Sequence, residues 1–158
     1  MKNRDFFKGK TVWITGGSSG IGKALCMQLS EYGARVIISS NVKDELEQVK
    51  EDALKINPDV TSLEFDLSVP EEVAAAADKA MNIYGKVDIL INAGGISQRS
   101  LTGETSMEVD RKIMEINFFS GVILTKKLLP LMLKNGYGHL VAISSITGKF
   151  GWPYRSAY

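Results

Sequence analysis

The sequence predicts an α/β protein centred on a doubly wound parallel sheet, and three observations lead there. Short apolar runs rich in Val and Ile alternate with amphipathic helical patterns, the sign of repeated βαβ units. Those runs are nearly continuous in apolar residues, as expected of strands covered by helices on both faces. A glycine-rich stretch, "TGGSSGIG" at 15–22, lies directly between the first apolar run and the first helical pattern.

Five segments read as strands: "TVWIT" (11–15), "RVIIS" (35–39), "TSLEF" (61–65), "VDILIN" (87–92) and "HLVAIS" (139–144). Between the first two, Leu25, Leu29 and Tyr32 fall at helical spacing from Ile21 onward, and Gly33 follows as a stop. Asn41, with Asp44 and Glu45 behind it, is expected to cap a helix running to about Ile56, ahead of Asn57-Pro58. Ser68-Val69-Pro70-Glu71 forms a capping-box pattern that opens the helix "EEVAAAADKAMNIY", closed by Gly85. The stretch 106–136 reads as a short helix running into a long one, bent at Pro130 and ended by Gly136. Such a β-α-β-α-β-α-β-α-β chain winds right-handed and binds ligands outside the carboxyl ends of its strands.

The chain has 158 residues, 44% hydrophobic and 23% charged, which predicts one globular domain over 1–158. Nineteen basic and 18 acidic residues give a net charge of +1, so nothing marks nucleic acid as a partner. Cys26 is the only cysteine, which excludes an internal disulfide and a cysteine-rich metal site. "MKNRDFFKGK" has no apolar run suited to a signal peptide, and no membrane-spanning window is expected, so the cytoplasm is the expected location.

The glycine loop has two readings. Gly17, Gly22 and Lys23 fit the G-x-x-x-x-G-K of a triphosphatase loop, and Thr15, Gly16, Gly20 and Gly22 fit a dinucleotide-binding turn. Both want a strand before the loop and a helix after it. The triphosphatase loop also needs Ser or Thr after the lysine to hold Mg²⁺, and this chain has Ala24. No apolar strand ends in the aspartate that would complete the metal site, since "VDILIN" ends in Asn92. The dinucleotide reading is therefore favoured, and no metal is expected.

Thr-Gly-x-x-x-Gly-x-Gly resembles the short-chain dehydrogenase/reductase family, whose other motifs also fall in place: Asp66-Leu67, Asn92-Ala93-Gly94, Asn117, and a Ser145 to Tyr158 interval of thirteen. Ile91 departs from the pattern, where a second asparagine is common. The resemblance implies a Rossmann-like fold with five strands covered, a C-terminally incomplete domain, and reversible hydride transfer between a nicotinamide and a carbonyl or alcohol substrate. It places the cofactor on Gly16, Ser18, Ser19, Gly20, Ile21 and Gly22, with Asp66 and Leu67 at the adenine. Asp66 also reads as a plain helix-capping aspartate, and both can hold together. By the same resemblance Asn92 braces the sheet, while Ala93 and Gly94 leave room for the cofactor. Asn117 disturbs the long helix and holds a water of a proton relay. Ser145 hydrogen-bonds the substrate oxygen, and Tyr158 transfers the proton. The family lysine follows four residues after the tyrosine, but residue 158 is the last, so this chain alone is expected to be nearly inactive.

After the second strand, NAD-preferring members carry an acidic residue, where this chain has Ser40. Ser39, Ser40 and Asn41 could donate to a 2′-phosphate, and Lys43 is the nearest cation in sequence, so NADP is expected, with NAD as the alternative. Asn41, however, stands where many NADP-dependent members have arginine. Segments 94–106 and 148–158 resemble a branch associated with retinoid and steroid carbonyls. Phe150, Trp152 and Tyr154 read either as pocket lining or as packing, and His139 receives no role. The resemblance also implies a homo-oligomer, dimer or tetramer, pairing along 117–134, although the apolar face there could equally be core. A non-catalytic dinucleotide-binding sensor or scaffold, or an inactive fragment of the enzyme, is the alternative function.

Overall fold

The computed structural model describes residues 4–158; Met1 to Asn3 of the N-terminal stretch lie outside the described residues. A short helix α1 (Arg4–Phe7) leads into β1 (Thr11–Thr15), α2 (Gly20–Glu31), β2 (Arg35–Ser40), α3 (Lys43–Leu54), β3 (Val60–Glu64), α4 (Pro70–Ile83) and β4 (Ile89–Asn92). Helix α5 (Met107–Met114) then runs through a π-helical segment (Glu115–Phe119) into α6 (Ser120–Lys134), followed by β5 (His139–Ala142) and a 3₁₀ turn (Ile146–Gly148). All neighbouring strands are parallel, in the order β3-β2-β1-β4-β5. The order reverses between β1 and β4, which opens a crevice at their carboxyl ends.

Strand alternation divides the core in two. Val12, Ile14, Val36 and Ile38 face α2 and α3 through Cys26, Leu29, Leu46 and Val49. Trp13, Ile37 and Leu90 face α4 and α6 through Val73, Ala77, Leu124 and Leu128. The buried Trp13 indole donates from Nε1 to Ser39 Oγ at 2.8 Å. At the amino end of the sheet, Asp88 Oδ2 accepts from the Thr11 N–H at 2.9 Å, and Lys86 Nζ bonds its other oxygen at 2.9 Å.

The bounds of β1 are as expected and those of the other strands differ by one or two residues, and the glycines ahead of β2 and β5 stop their helices with left-handed backbones, Gly33 at φ +72° and Gly136 at φ +63°. Two expected caps are displaced. Asn41 does not cap α3: Val42 holds that position without a side-chain bond, because the Asn41 amide is turned to Asp66. Ser68 likewise does not close a capping box, since its N–H and hydroxyl donate to Asp66 and Val69 stands at the helix start. Pro130 sits inside α6, which continues to Lys134.

The helical run Met107–Lys134 is 28 residues, long and apolar enough by composition to cross a membrane, which corrects the expectation that no such window exists. Leu124, Leu128 and Met132 of this run pack with α4 residues in the core, while most of its apolar side chains are exposed or half-buried. Leu129 and Leu133 are exposed, so the 117–134 face is only partly core.

Candidate functional site

The β1–α2 loop is pinned on both sides. Thr15 Oγ1 accepts from the N–H groups of Ala93 and Gly94, both at 3.2 Å, and Gly17 N–H donates to the Ser39 carbonyl at 2.9 Å. A Cβ on Gly16 (φ +67°) would lie 2.6 Å from Gly94 Cα, and one on Gly22 would lie 2.1 Å from the Gly16 carbonyl oxygen. The first bond of α2 runs from Lys23 N–H to Ser19 at 3.0 Å. The N–H groups of Gly20, Ile21 and Gly22 therefore have no intrahelical partner and present the positive end of a twelve-residue helix. A backbone cradle with orphan donors suits a pyrophosphate. Lys23 is exposed on the helix.

The loop opens into a cleft of about 340 Å³. Its lining includes Gly16, Ser18, Ser19, Gly20, Ile21, Gly22, Ser39, Ser40, Asn41, Asp66, Leu67, Ala93 and Gly94, so every residue expected at the loop and adenosine end is brought together. Ser18 Oγ and Ser40 Oγ are 3.0 Å apart, and Asn41 Nδ2 donates to Asp66 Oδ2 at 3.1 Å. Ser39 borders the cleft, but its side chain is buried and accepts from Trp13 Nε1, while the Ser40 hydroxyl pairs with Ser18.

Asp66 accepts from the Ser68 N–H and hydroxyl, both at 2.7 Å, so it shapes the turn before α4 and also lines the cleft. Burial pushes its carboxyl up, but the bonds from Ser68 and Asn41 outweigh this and hold it below the ordinary carboxylate range.

A second cleft of about 620 Å³ shares Thr15, Ile21, Ala93, Gly94 and Ile96 with the first, so the two adjoin. It is lined by Asn92, Asn117, Ser144, Ser145 and Tyr158. Asn92 Nδ2 reaches the Val141 carbonyl at 3.5 Å, across β4 and β5. Asn117 lies in the π segment, whose register is marked by Ser120 N–H bonding the Glu115 carbonyl. Its Oδ1 accepts from Ile96 N–H and its Nδ2 donates to the Ile96 carbonyl, both at 2.8 Å. Both side-chain polar groups are thus engaged with the β4–α5 connection. Ser145 Oγ accepts from Thr147 N–H at 3.2 Å and from Thr147 Oγ1 at 2.7 Å. Tyr158 is 43% exposed, with the Arg155 guanidinium 6.0 Å from its ring centroid.

Ile96, Thr147 and the stitching role of Thr15 were not among the expected site residues. Ile96 acts through its backbone and leaves no sequence signal. Thr147 does leave one, as the third residue of a Ser-x-Thr turn just after a strand. Phe150, Trp152 and Tyr154 are exposed and line neither cleft.

Residues 10–158 match the family model described as short chain dehydrogenase. The chain belongs to the short-chain dehydrogenase/reductase family. Similar relatives of this short-chain dehydrogenase/reductase include a dehydrogenase/reductase SDR family protein 7-like of Drosophila melanogaster, 44% identical and covering 100% of this chain and 50% of that protein. A dehydrogenase/reductase SDR family member 7B of Bos taurus is 39% identical with the same shares. The chain spans about half the length of the curated relatives it matches.

Among solved structures, a short-chain dehydrogenase from Streptomyces avermitilis superposes with a TM-score of 0.87 at 31% identity, covering 95% of this chain and 54% of that one. A metagenomic short-chain oxidoreductase described in complex with NADP gives 0.92 at 26% identity, covering 96% and 69%. These matches agree with the parallel five-stranded sheet.

Proposed function

We propose that this chain is the cofactor-binding and proton-handling part of an NADP(H)-dependent oxidoreductase acting on a carbonyl or alcohol carbon. One observation carries the reading: two adjoining clefts with a shared wall are lined by the α2 donors and Asp66 in one and by Ser145 and Tyr158 in the other. When bound, the dinucleotide supplies or takes up the hydride. Gly20, Ile21 and Gly22 N–H groups hold its pyrophosphate, and Asp66 faces the adenine. Ser145 donates a hydrogen bond to the substrate oxygen. In reduction the Tyr158 phenol gives that oxygen its proton as the carbon gains hydride; in oxidation it takes the proton back.

Three features support NADP(H). No acidic side chain stands at position 40 to repel a 2′-phosphate, the Ser18 and Ser40 hydroxyls converge beside it, and one structural relative is described with NADP. Ile21, Ile96, Ile116 and Ile143 line the reaction end, which favours an apolar carbonyl substrate such as a retinoid- or steroid-like one. Exposed Met114, Phe118 and Phe119 support pairing with a second copy along this helix.

Titration calorimetry and steady-state turnover on the full protein that carries this chain test the reading. NADPH should bind about tenfold more tightly than NADH. Tyr158→Phe should lose about a hundredfold or more in turnover while keeping its NADPH affinity. Equal affinity for the two dinucleotides would overturn the cofactor assignment, and full turnover in Tyr158→Phe would overturn the mechanism.

A further inference from the structure

Ser145 leaves β5 with an extended backbone (φ −132°, ψ 152°) and stands at the start of the 3₁₀ turn Ile146–Gly148. A hydroxyl has one proton to donate and two lone pairs to accept with. At Ser145 Oγ both accepting positions are filled by one residue, through the Thr147 N–H at 3.2 Å and the Thr147 hydroxyl at 2.7 Å. What remains is the Ser145 O–H itself, on an oxygen that borders the cleft shared with Tyr158.

Resting on the proposed role of Ser145, we infer that Thr147 is a positioning residue that makes Ser145 a donor only and turns its proton toward the substrate oxygen. A carbonyl or alkoxide oxygen accepts and does not donate, so a serine with no free lone pair matches it. The same serine disfavours water or an alcohol presenting its own proton, because neither finds an acceptor there. Donation from Thr147 also polarises the Ser145 O–H, since hydrogen bonds in a chain strengthen one another. The two bonds come from adjacent atoms of a short turn, so the orientation is set before substrate arrives, and it costs no reorganisation during the reaction.

The test uses the full protein, with a reducible aldehyde or ketone and NADPH. Thr147→Val keeps the N–H, the volume and the β-branch and removes only the hydroxyl; Thr147→Ser keeps the hydroxyl. Thr147→Val should lower kcat about tenfold, less than the hundredfold or more for loss of a direct donor. Its NADPH affinity should stay within about twofold, and Thr147→Ser should return kcat to within about twofold of the parent. In a Ser145→Ala background, Thr147→Val should cause no further loss, because its effect passes through the serine.

Parental kcat in Thr147→Val, equal impairment of Thr147→Ser and Thr147→Val, or losses that multiply in the double variant would each overturn the inference. So would a Thr147→Val protein that binds NADPH poorly, which would mark a merely structural role. Full turnover in Ser145→Ala would instead overturn the active-site reading and this inference with it, and that single variant distinguishes the two failures.

Discussion

Alanine at position 22 sets two effects of opposite sign against each other. Gly22 lies in the first turn of α2, where alanine gains up to about 1 kcal/mol in helix propensity. The added Cβ would stand 2.1 Å from the Gly16 carbonyl oxygen, 2.8 Å from its carbon and 3.1 Å from Gly17 Cα. All three are backbone atoms, so no side chain can swing away. Reaching even 3.0 Å from the oxygen requires the loop to retreat by about 0.9 Å. Gly16 is already packed against Gly94, and Gly17 is held to the Ser39 carbonyl at 2.9 Å, so the retreat breaks contacts on the far side. Overpacking of this kind costs roughly 1–3 kcal/mol, which outweighs the propensity gain. Gly22→Ala should therefore lower Tm by roughly 2–8 °C. A shift of nearly 1 Å in the pyrophosphate donors should weaken NADPH binding at least about tenfold. Calorimetry and thermal melting are read beside Gly103→Ala, whose Cβ would meet nothing within 4 Å. A Gly22→Ala protein that melts at or above the parent and binds NADPH within about twofold would refute the close-contact account of the loop.

Two further outcomes concern the scaffold. Asp88→Ala removes the acceptor of the buried Thr11 N–H and the partner of Lys86, and should lower unfolding stability by about 2–3 kcal/mol in urea titration. NADPH affinity should not change, since Asp88 lies at the amino end of the sheet and the cleft at the carboxyl end; a loss under about 0.5 kcal/mol would contradict the assigned role. Burial pushes the Cys26 thiol up to about 11 from the ordinary 9.0, against a smaller lowering effect of Ser30, so the folded state keeps a proton that the unfolded chain releases first. The group costs nothing below pH 9. Above it, stability should fall by about 1.4 kcal/mol per pH unit until the folded thiol also ionises. Urea midpoints at pH 8 and pH 10 should therefore converge more in Cys26→Ala than in the parent, and identical pH dependence would exclude the thiol as the cause.

The parts of the site legible in the sequence are those where geometry restricts residue type. Gly16, Gly22 and Gly94 were readable because backbone approaches backbone there and a Cβ has no room. The apolar strands β1, β2 and β4 were readable because both faces of the sheet are covered there. Helix starts were less so, since short polar side chains have several local partners. Asn41 and Ser68 both suit a cap, yet Asp66 draws both of them: Ser68 from two residues away, and Asn41 from 25 residues away, a competition that local pattern does not record. Ile96 was invisible because Asn117 bonds only its main chain. Ser39 and Ser40 look equivalent in sequence, and only the pleat of β2 sends one to Trp13 and the other to the cleft.

The two adjoining clefts are prepared for binding in different ways. At the adenosine end the polar groups already satisfy one another, Ser18 with Ser40 and Asn41 with Asp66. A dinucleotide bound there exchanges existing hydrogen bonds for new ones, and such exchange yields a modest net gain for each bond. Affinity must then come mainly from the pyrophosphate cradle, whose N–H donors have no intrahelical partner to give up. At the reaction end the internal bonds lock orientation: Asn117 is fixed by Ile96 and the Ser145 acceptors are filled by Thr147. One end is therefore adaptable and suited to discriminating between cofactors by small changes at positions 18, 40 and 41. The other is rigid and suited to stabilising charge at one oxygen, so substitutions there should alter kcat while leaving dinucleotide affinity nearly untouched.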